Sequence, residues 1–205
     1  MKPQTLYRSS NLATDDVNAY QGLKLIVDLR SEKEVQKAPH PENMPTQLYH
    51  APMLVEHDQS KIDVLRLPKI EFLFQRYKTY PETLKNSVAL ILKNIVLLPA
   101  GEACAFHCTH GKDRTGFVSS VLLGLLGAPR DAIVTDYLHS ADIWRTKLNR
   151  DESETPYFLT NGVPFIDVSI DALLEEYGSF REYAVSCVGS SDVIERVEIV
   201  LKTEL

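Results

Sequence analysis

The feature that most restricts the fold is the segment 103–126, which reads ACAFHCTHGKDRTGFVSSVLLGLL. Its first five residues form a short apolar run, the pattern of a buried strand in a parallel sheet. Its last ten residues are apolar on nearly every side, which predicts a buried helix that ends at Gly127. The polar stretch between them therefore has to be a tight loop that leads from the end of a strand into the start of a helix.

Other segments extend this unit into an α/β fold. Residues 24–29 (KLIVDL) and 47–52 (QLYHAP) predict two more strands, the second of which ends at a proline. Apolar side chains spaced three and four apart predict a helix over 84–95. We predict a mostly parallel central sheet of about four strands flanked by helices, with a helical C-terminal section. The predicted helices of that section begin at Pro129 (with Ile133, Tyr137, Leu138 and Trp144 on its inner face) and continue at 170–177, 180–188 and 193–202.

The chain is predicted to form one domain over residues 1–205, because it shows no repeat, low-complexity tract or Gly/Ser-rich linker. Two stretches have no clear place in this domain. Residues 53–82 carry apolar side chains with uneven periodicity, and we interpret them as a lid or an insertion beside the site. Residues 150–166 are interpreted as an exposed loop.

The overall composition restricts the partners. A net charge of −6 argues against general attraction to nucleic acid, so an anionic substrate must be held by a local group of donors. The most apolar segment, 88–98, is short and contains Lys93 and Asn94, so we expect no stable membrane insertion. Three cysteines and no recognisable signal peptide predict a reduced, cytoplasmic protein; export without such a signal and the oligomeric state stay open.

The loop has the chemistry of a phosphate site. Its backbone N–H groups and the start of the following helix would converge on one point, which is a ready anion site, and Gly111 supplies the conformational freedom that a small cradle needs. Arg114 offers a planar fork that matches two phosphate oxygens. Cys108, at the bottom of this cradle, is a nucleophile that faces the bound phosphorus.

A metal site is the alternative for the same stretch. Cys104, His107, Cys108 and His110 are crowded into seven residues, on alternate faces of a strand and its turn. No second Cys/His pair follows at a spacing that would complete a tetrahedron. We therefore predict no metal and no cofactor, and we interpret Cys104 and Cys187 as small buried apolar residues.

The sequence resembles a known family at this point. HCTHGKDRTG, with its cysteine and arginine six positions apart, is similar to the signature of the cysteine-dependent protein tyrosine phosphatases. In particular it resembles the bacterial tyrosine/serine phosphatase branch, which also includes dual-specificity and phosphoinositide phosphatases. The resemblance covers nearly the whole chain and implies a protein-tyrosine-phosphatase-like fold. The supporting blocks follow in the family's order: 7–12 (YRSSNL), 27–31 (VDLRS) with Glu34, 136–138 (DYL) and 176–178 (EYG).

The resemblance also implies roles for the residues of the loop. Cys108 would form a cysteinyl-phosphate, and Arg114 would clamp the transferring group. Thr115 would hydrogen-bond the thiolate, while His107 would orient the loop and tune the thiol. His110 stands where the branch usually has a small residue, although its N–H would still serve the cradle. The substrate-binding residues implied are Thr109, His110, Gly111, Lys112 and Thr115, with Lys112 adding positive charge at the rim.

The general acid is not fixed by the resemblance. Asp113, inside the loop, is the favoured residue, with Asp58 and Asp63 in the 53–82 segment as alternatives. Lys112, Arg114 and the helix N-terminus all lower the pKa of Asp113, whereas a general acid needs its proton. A bound phosphate dianion would raise that pKa again, so Asp113 would serve only in the substrate complex.

The resemblance implies metal-free, two-step hydrolysis of phosphomonoesters. Phosphotyrosine in proteins is the leading substrate, with phosphoserine and phosphothreonine as additions. A phosphoinositide phosphatase is one alternative, favoured by Lys112 and disfavoured by the net charge of −6. A catalytically silent phosphate-binding module is the other. Arg8, Asp28 and Arg30 are interpreted mainly as structural ion-pair residues beside the loop.

Overall fold

The computed structural model describes residues 6–12, 21–42, 44, 46–53, 69–99, 102–148 and 161–203, apart from the side chains of residues 69, 141, 144, 145, 147, 148 and 203. Within these residues one sheet contains four strands, which all pair in parallel in the order β1-β4-β2-β3. The predicted parallel sheet of about four strands is thus confirmed. The strands are β1 (Leu6–Ser9), β2 (Leu23–Asp28), β3 (Gln47–His50) and β4 (Ala103–His107).

The register of the strands brings their carboxyl ends together. Ser9 and Asp28 both lie opposite His107, and Asp28 also lies opposite His50. In open parallel sheets the carboxyl edge is where ligands bind, because the loops that leave the strands meet there. The HCTHGKDRTG loop starts at this edge, next to the segments that follow β1 and β2.

Helices account for most of the rest of the described chain, and the helical C-terminal section is confirmed. Helices α1 to α4 precede β4, and α5 follows the loop directly. The helices are α1 (Glu32–Lys37), α2 (Lys69–Lys78), α3 (Tyr80–Thr83), α4 (Lys85–Leu97), α5 (Asp113–Leu125), α6 (Arg130–Leu148), α7 (Phe165–Tyr177), α8 (Phe180–Val188) and α9 (Ser191–Thr203).

The larger hydrophobic core packs on one face of the sheet. Val27 and Phe106 of the strands meet fully buried side chains such as Ile91 of α4 and Val121 of α5. Among the described residues, the opposite face carries a smaller cluster around Ile26. Because β2 and β4 are buried on both faces, their sequences read as continuous apolar runs.

Helix α1 forms for a different reason, since none of its six residues is buried. The Ser31 side chain accepts a hydrogen bond from the backbone N–H of Glu34, and the Glu34 carboxylate accepts one from the backbone N–H of Ser31 at 2.8 Å. This reciprocal capping box satisfies two backbone donors at the helix start. It also fixes the Glu34 side chain beside the loop that follows β4.

The structure differs from the sequence prediction in two segments, 53–82 and 150–166. Residues 54–68 of the predicted 53–82 lid or insertion lie outside the described part of the chain, while 69–78 and 80–82 are helical. Closure as a lid stays a prediction. Residues 150–160 of the predicted 150–166 loop also lie outside it. The loop assignment is wrong for Phe165 and Ile166, which are fully buried in the first turn of α7. That helix starts right after Pro164, whose extended backbone ends the preceding turn.

None of the helices in the described ranges is long and apolar enough to cross a membrane.

Candidate active site

The loop between β4 and α5 is closed on both sides by backbone hydrogen bonds. Leu29 N–H, just after β2, donates to the His107 carbonyl at 2.8 Å, and Asn11 N–H, just after β1, donates to the Thr109 carbonyl at 3.1 Å. Cys108 is only 2% exposed at the base of this loop. The structure thus brings together the cradle residues that the sequence placed in one contiguous stretch.

Gly111 is required for both conformation and space. Its φ of +68° is a left-handed conformation that L side chains rarely adopt. A Cβ at this position would lie 2.7 Å from the Ser9 carbonyl oxygen and 2.8 Å from the Ser10 backbone nitrogen. The loop can therefore pack against the end of β1 only with glycine here.

Arg114 is buried and held from one side by Glu34. Its Nη1 lies 2.7 Å from Glu34 Oε2 and its Nη2 lies 2.8 Å from Oε1, a bidentate pair, and Nη1 also donates to the Leu29 carbonyl at 3.1 Å. Burial alone would lower the pKa of Arg114, but the hydrogen bonds to Glu34 raise it above its ordinary value. The Nε atom is buried and has no hydrogen-bond partner among the described residues. This N–H is a donor that a bound anion can use.

Glu34 itself carries a full negative charge in this position. Burial raises the pKa of Glu34, but hydrogen bonds from Arg114 and Thr109 outweigh burial and hold the pKa well below its ordinary value. The Thr109 hydroxyl donates to Oε1 at 2.5 Å. The family resemblance included Glu34 among its supporting residues but implied no role for it. The Ser31–Glu34 capping pattern is the signal by which its position is recognisable.

Arg8 links the loop to the helical half of the molecule. Its Nη2 donates to the Gly111 carbonyl at 3.0 Å, and its Nη1 forms an ion pair with Asp136 of α6. The ion pair agrees with the structural role predicted for Arg8. The bond to Gly111 shows that Arg8 also supports the cradle directly.

Asp113 begins helix α5 and lies among donors. The Tyr77 hydroxyl donates to Asp113 Oδ1, and Lys112 Nζ lies 3.3 Å from the same oxygen. Burial raises the pKa of Asp113, but Lys112, the Tyr77 hydrogen bond and the nearby charge of Arg76 together hold it below its ordinary value. Asp113 is therefore ionised in the free protein. Neither Tyr77 nor Arg76, both on α2, was anticipated from the sequence.

Three further predicted site residues differ in their surroundings. Lys112 is only 5% exposed, so the prediction of a rim lysine is wrong, because its pairing with Asp113 draws the ammonium inward. The hydrogen bond expected from Thr115 to Cys108 is not formed: Thr115 Oγ1 is buried without a partner among the described residues. His110 has an exposed side chain at the mouth of the loop. Asp58 and Asp63 lie outside the described residues.

His107 lies behind the loop and is fully buried. Its Nδ1 lies 3.2 Å from the carbonyl oxygen of Cys108, and its Nε2 lies 3.3 Å from His40 Nε2. Burial lowers the pKa of His107 to about 4, although the charge of Asp28 acts in the opposite direction. His107 is therefore neutral at physiological pH.

Among the described residues, potential metal ligands come together in one place. There, the one group of three potential ligands is Asp28, His40 and His107, and it does not include the cysteines proposed from sequence. Both oxygens of Asp28 already accept from Arg30, at 3.0 Å from Nε and 2.7 Å from Nη2. A cation would have to share this carboxylate with a buried guanidinium, so the arrangement fits an internal ion pair better.

A parallel sheet, a strand–loop–helix turn with a buried cysteine and a glutamate-held arginine together have the arrangement of a phosphatase-type enzyme. The sequence model of the tyrosine phosphatase family matches residues 1–199. The chain therefore belongs to the tyrosine phosphatase family, as the resemblance predicted.

Individual relatives agree with this membership. A protein of Cupriavidus necator, named by inference as a tyrosine-protein phosphatase, is 27% identical over 89% of this chain and 68% of its own length. The triple specificity protein phosphatase of Mycobacterium tuberculosis is 29% identical over 69% of this chain and 63% of its own length. A tyrosine-protein phosphatase of Nostoc commune is 30% identical over 63% of this chain and 44% of its own length. The chain thus spans about two thirds or less of these relatives.

Proposed function

We propose that the protein hydrolyses phosphomonoesters through a cysteinyl-phosphate on Cys108, with phosphotyrosine in proteins as the leading substrate. The observation that carries this proposal is the position of Cys108. It lies at the base of a cradle whose arginine is charged, oriented and left with a buried Nε–H donor.

The reaction balances in two steps. In the first, Cys108 Sγ attacks phosphorus, the bond from phosphorus to the ester oxygen breaks, and the departing oxygen takes a proton. In the second, water attacks phosphorus, the sulfur–phosphorus bond breaks, and inorganic phosphate leaves with the thiolate restored. Charge on the phosphoryl oxygens is stabilised by Arg114, by the N–H groups of the loop and by the start of α5.

Asp113 is the proposed source of the proton in the first step. It is ionised in the free protein, so it has to gain its proton when a phosphate dianion enters the cradle and raises its pKa. Tyr77 already donates to Oδ1, which leaves Oδ2 as the oxygen able to carry that proton. The Tyr77 hydroxyl lies 2.7 Å from the Tyr137 hydroxyl, so this donor is itself held in place.

A test of Asp113 compares leaving groups. Asp113→Asn should lose most activity on alkyl phosphates and much less on aryl phosphates, because a phenolate, with a pKa of about 10, departs without full protonation. Asp58→Asn and Asp63→Asn, measured in the same way, report on the alternatives. Equal losses on both substrate types in Asp113→Asn would exclude it as the acid.

The substrate class is tested by phosphate release. The substrates are a phosphotyrosine peptide, a phosphoserine peptide and a soluble phosphoinositide, each with wild type and Cys108→Ser. We expect fastest turnover of the phosphotyrosine peptide and none in the variant. The name of the M. tuberculosis relative supports some breadth, so slower release from the other two is compatible. Faster turnover of the lipid would replace the proposed substrate, and oxyanion binding without any turnover would identify a silent phosphate-binding module.

A further inference from the structure

Behind the cradle lies a buried polar cluster that the reaction steps above do not use. Asp28, at the end of β2, accepts hydrogen bonds from Arg30 and lies 3.2 Å from Nε2 of His40. The side chains of Asp28, Arg30, His40 and His107 are at most 4% exposed. His40 lies three residues beyond the end of α1 and was not singled out in the sequence.

The hydrogen-bond partners fix where the protons are. The Cys108 carbonyl can only accept, so the nearby His107 Nδ1 must carry a hydrogen, and the neutral ring then has a lone pair on Nε2. His40 Nε2 faces two acceptors, the Asp28 carboxylate at 3.2 Å and His107 Nε2 at 3.3 Å. His40 Nε2 must therefore be the donor. Its other nitrogen, Nδ1, is buried without a partner among the described residues, which suits a lone pair better than an N–H.

We propose that His40 is a positioning residue of the phosphatase site: its Nε2–H, shared between Asp28 and His107, holds His107 as the Nδ1–H tautomer that fixes the carbonyl of Cys108. This inference rests on the proposed function for its catalytic consequence, but not for its structural content. His40 touches neither the cysteine sulfur nor the substrate position, and it acts through His107.

The consequence for the cradle follows from the planar peptide bond. The carbonyl of Cys108 and the N–H of Thr109 belong to the same trans peptide unit and point in opposite directions. Fixing the carbonyl on His107 therefore fixes the direction of the first N–H of the anion cradle. If His107 changed to the Nε2–H tautomer, it would donate toward Asp28, 3.8 Å away, and release the Cys108 carbonyl.

The position of His40 is itself fixed by the same cluster. Arg30 Nη1 donates to the Ala38 carbonyl at 2.8 Å, two residues before His40, while its Nε and Nη2 hold Asp28. The segment after α1 is thus anchored to the end of β2. Burial raises the pKa of Asp28, but the bonds from His40 and Arg30 outweigh it, so Asp28 stays an acceptor at physiological pH.

Three variants of the full chain test this proposal. His40→Leu removes the donor, His40→Gln keeps an amide N–H near the Nε2 position, and His50→Leu is the control. His50 is exposed and contacts the backbone oxygen of Arg30 at 2.6 Å. Its substitution therefore removes a histidine from the same region but leaves the donor to His107 in place. The readouts are the tautomer of His107 by nitrogen-15 NMR, and kcat and KM for an aryl phosphate.

We expect His40→Leu to shift His107 away from the Nδ1–H tautomer. It should also lower kcat by about tenfold to a hundredfold with little change in KM, because the loop N–H groups would no longer be held in the right direction. His40→Gln should restore most of both, and His50→Leu should change neither. An unchanged His107 tautomer in His40→Leu would overturn the proposal, as would equal losses in all three variants or zinc binding at this cluster that depends on His40. The NMR readout needs no turnover, so it still tests the proposal if the enzyme acts on none of the substrates.

Discussion

Acid should destabilise the protein through one buried histidine, and the size of the effect follows from its surroundings. The pKa of His107 falls from an ordinary 6.5 to about 4 on folding, because burial disfavours the imidazolium. Below about pH 6.5 the unfolded chain binds a proton at this residue and the folded chain does not, so stability falls as the pH falls. The full difference between the two pKa values corresponds to about 3 kcal/mol, of which about 2 kcal/mol falls between about pH 7 and pH 5.

The test compares wild type with His107→Asn. Asparagine keeps an amide N–H near the position of Nδ1, and it does not titrate. Urea unfolding at about pH 7 and pH 5 gives the free energy of unfolding of each protein, and the loss on acidification should be about 2 kcal/mol larger in wild type. The depressed pKa values of Asp28 and Glu34 contribute mainly below this window, since their unfolded values are 3.8 and 4.5.

Equal losses in the two proteins would refute the reasoning, because they would show that His107 takes up a proton in the folded state as readily as in the unfolded state. The imidazole would then be solvated or paired as a cation, contrary to its complete burial.

Three further predictions concern the loop and its supports. Gly22→Ala should cost roughly 1 kcal/mol of left-handed strain, because no atom lies within 4 Å of the new Cβ there. Gly111→Ala should destabilise the fold by more than this, because its Cβ would also meet the backbone at the end of β1. Similar thermal unfolding of both variants would contradict this. Glu34→Gln should lower kcat for an aryl phosphate about tenfold, because the loop arginine loses its bidentate partner, and an unchanged kcat would show that the pair is dispensable. Iodoacetamide at neutral pH should alkylate Cys108 and spare Cys104, whose thiol pKa burial raises to about 12; equal labelling of both in mass spectra would contradict it.

The parts of the fold that the sequence predicted well are those with a local signal. Residues 103–107 and 180–188 match β4 and α8, since an apolar run defines the strand and Gly189, with a φ of +77°, ends the helix. Strand β1 was missed because Leu6–Ser9 mixes apolar and polar side chains over four residues. It is a strand because β4 pairs with it, which is a tertiary cause.

The same distinction holds for the site. The loop is one contiguous stretch, so Cys108, Gly111 and Arg114 could be proposed as members of one cradle from the sequence. Three supporting residues come from distant parts of the chain. Glu34 is 80 residues away from Arg114 in the sequence, Tyr77 is 36 away from Asp113, and His40 is 67 away from His107. A single sequence does not show which distant residues meet in the folded chain. The inward position of Lys112 was missed for the same reason, because it depends on Asp113 being drawn toward α2.

The capping box at the start of α1 connects an exposed helix to the arginine of the loop. Glu34 is at once the residue that closes the first turn of α1 and the counter-ion of Arg114, the proposed phosphate-binding arginine. Any oxyanion that binds better to the ordered arginine must, by thermodynamic reciprocity, bind better to the chain in which α1 is folded. Such an oxyanion would stabilise a surface helix with no buried residue, and slower hydrogen exchange at the backbone amides of α1 would then report its binding.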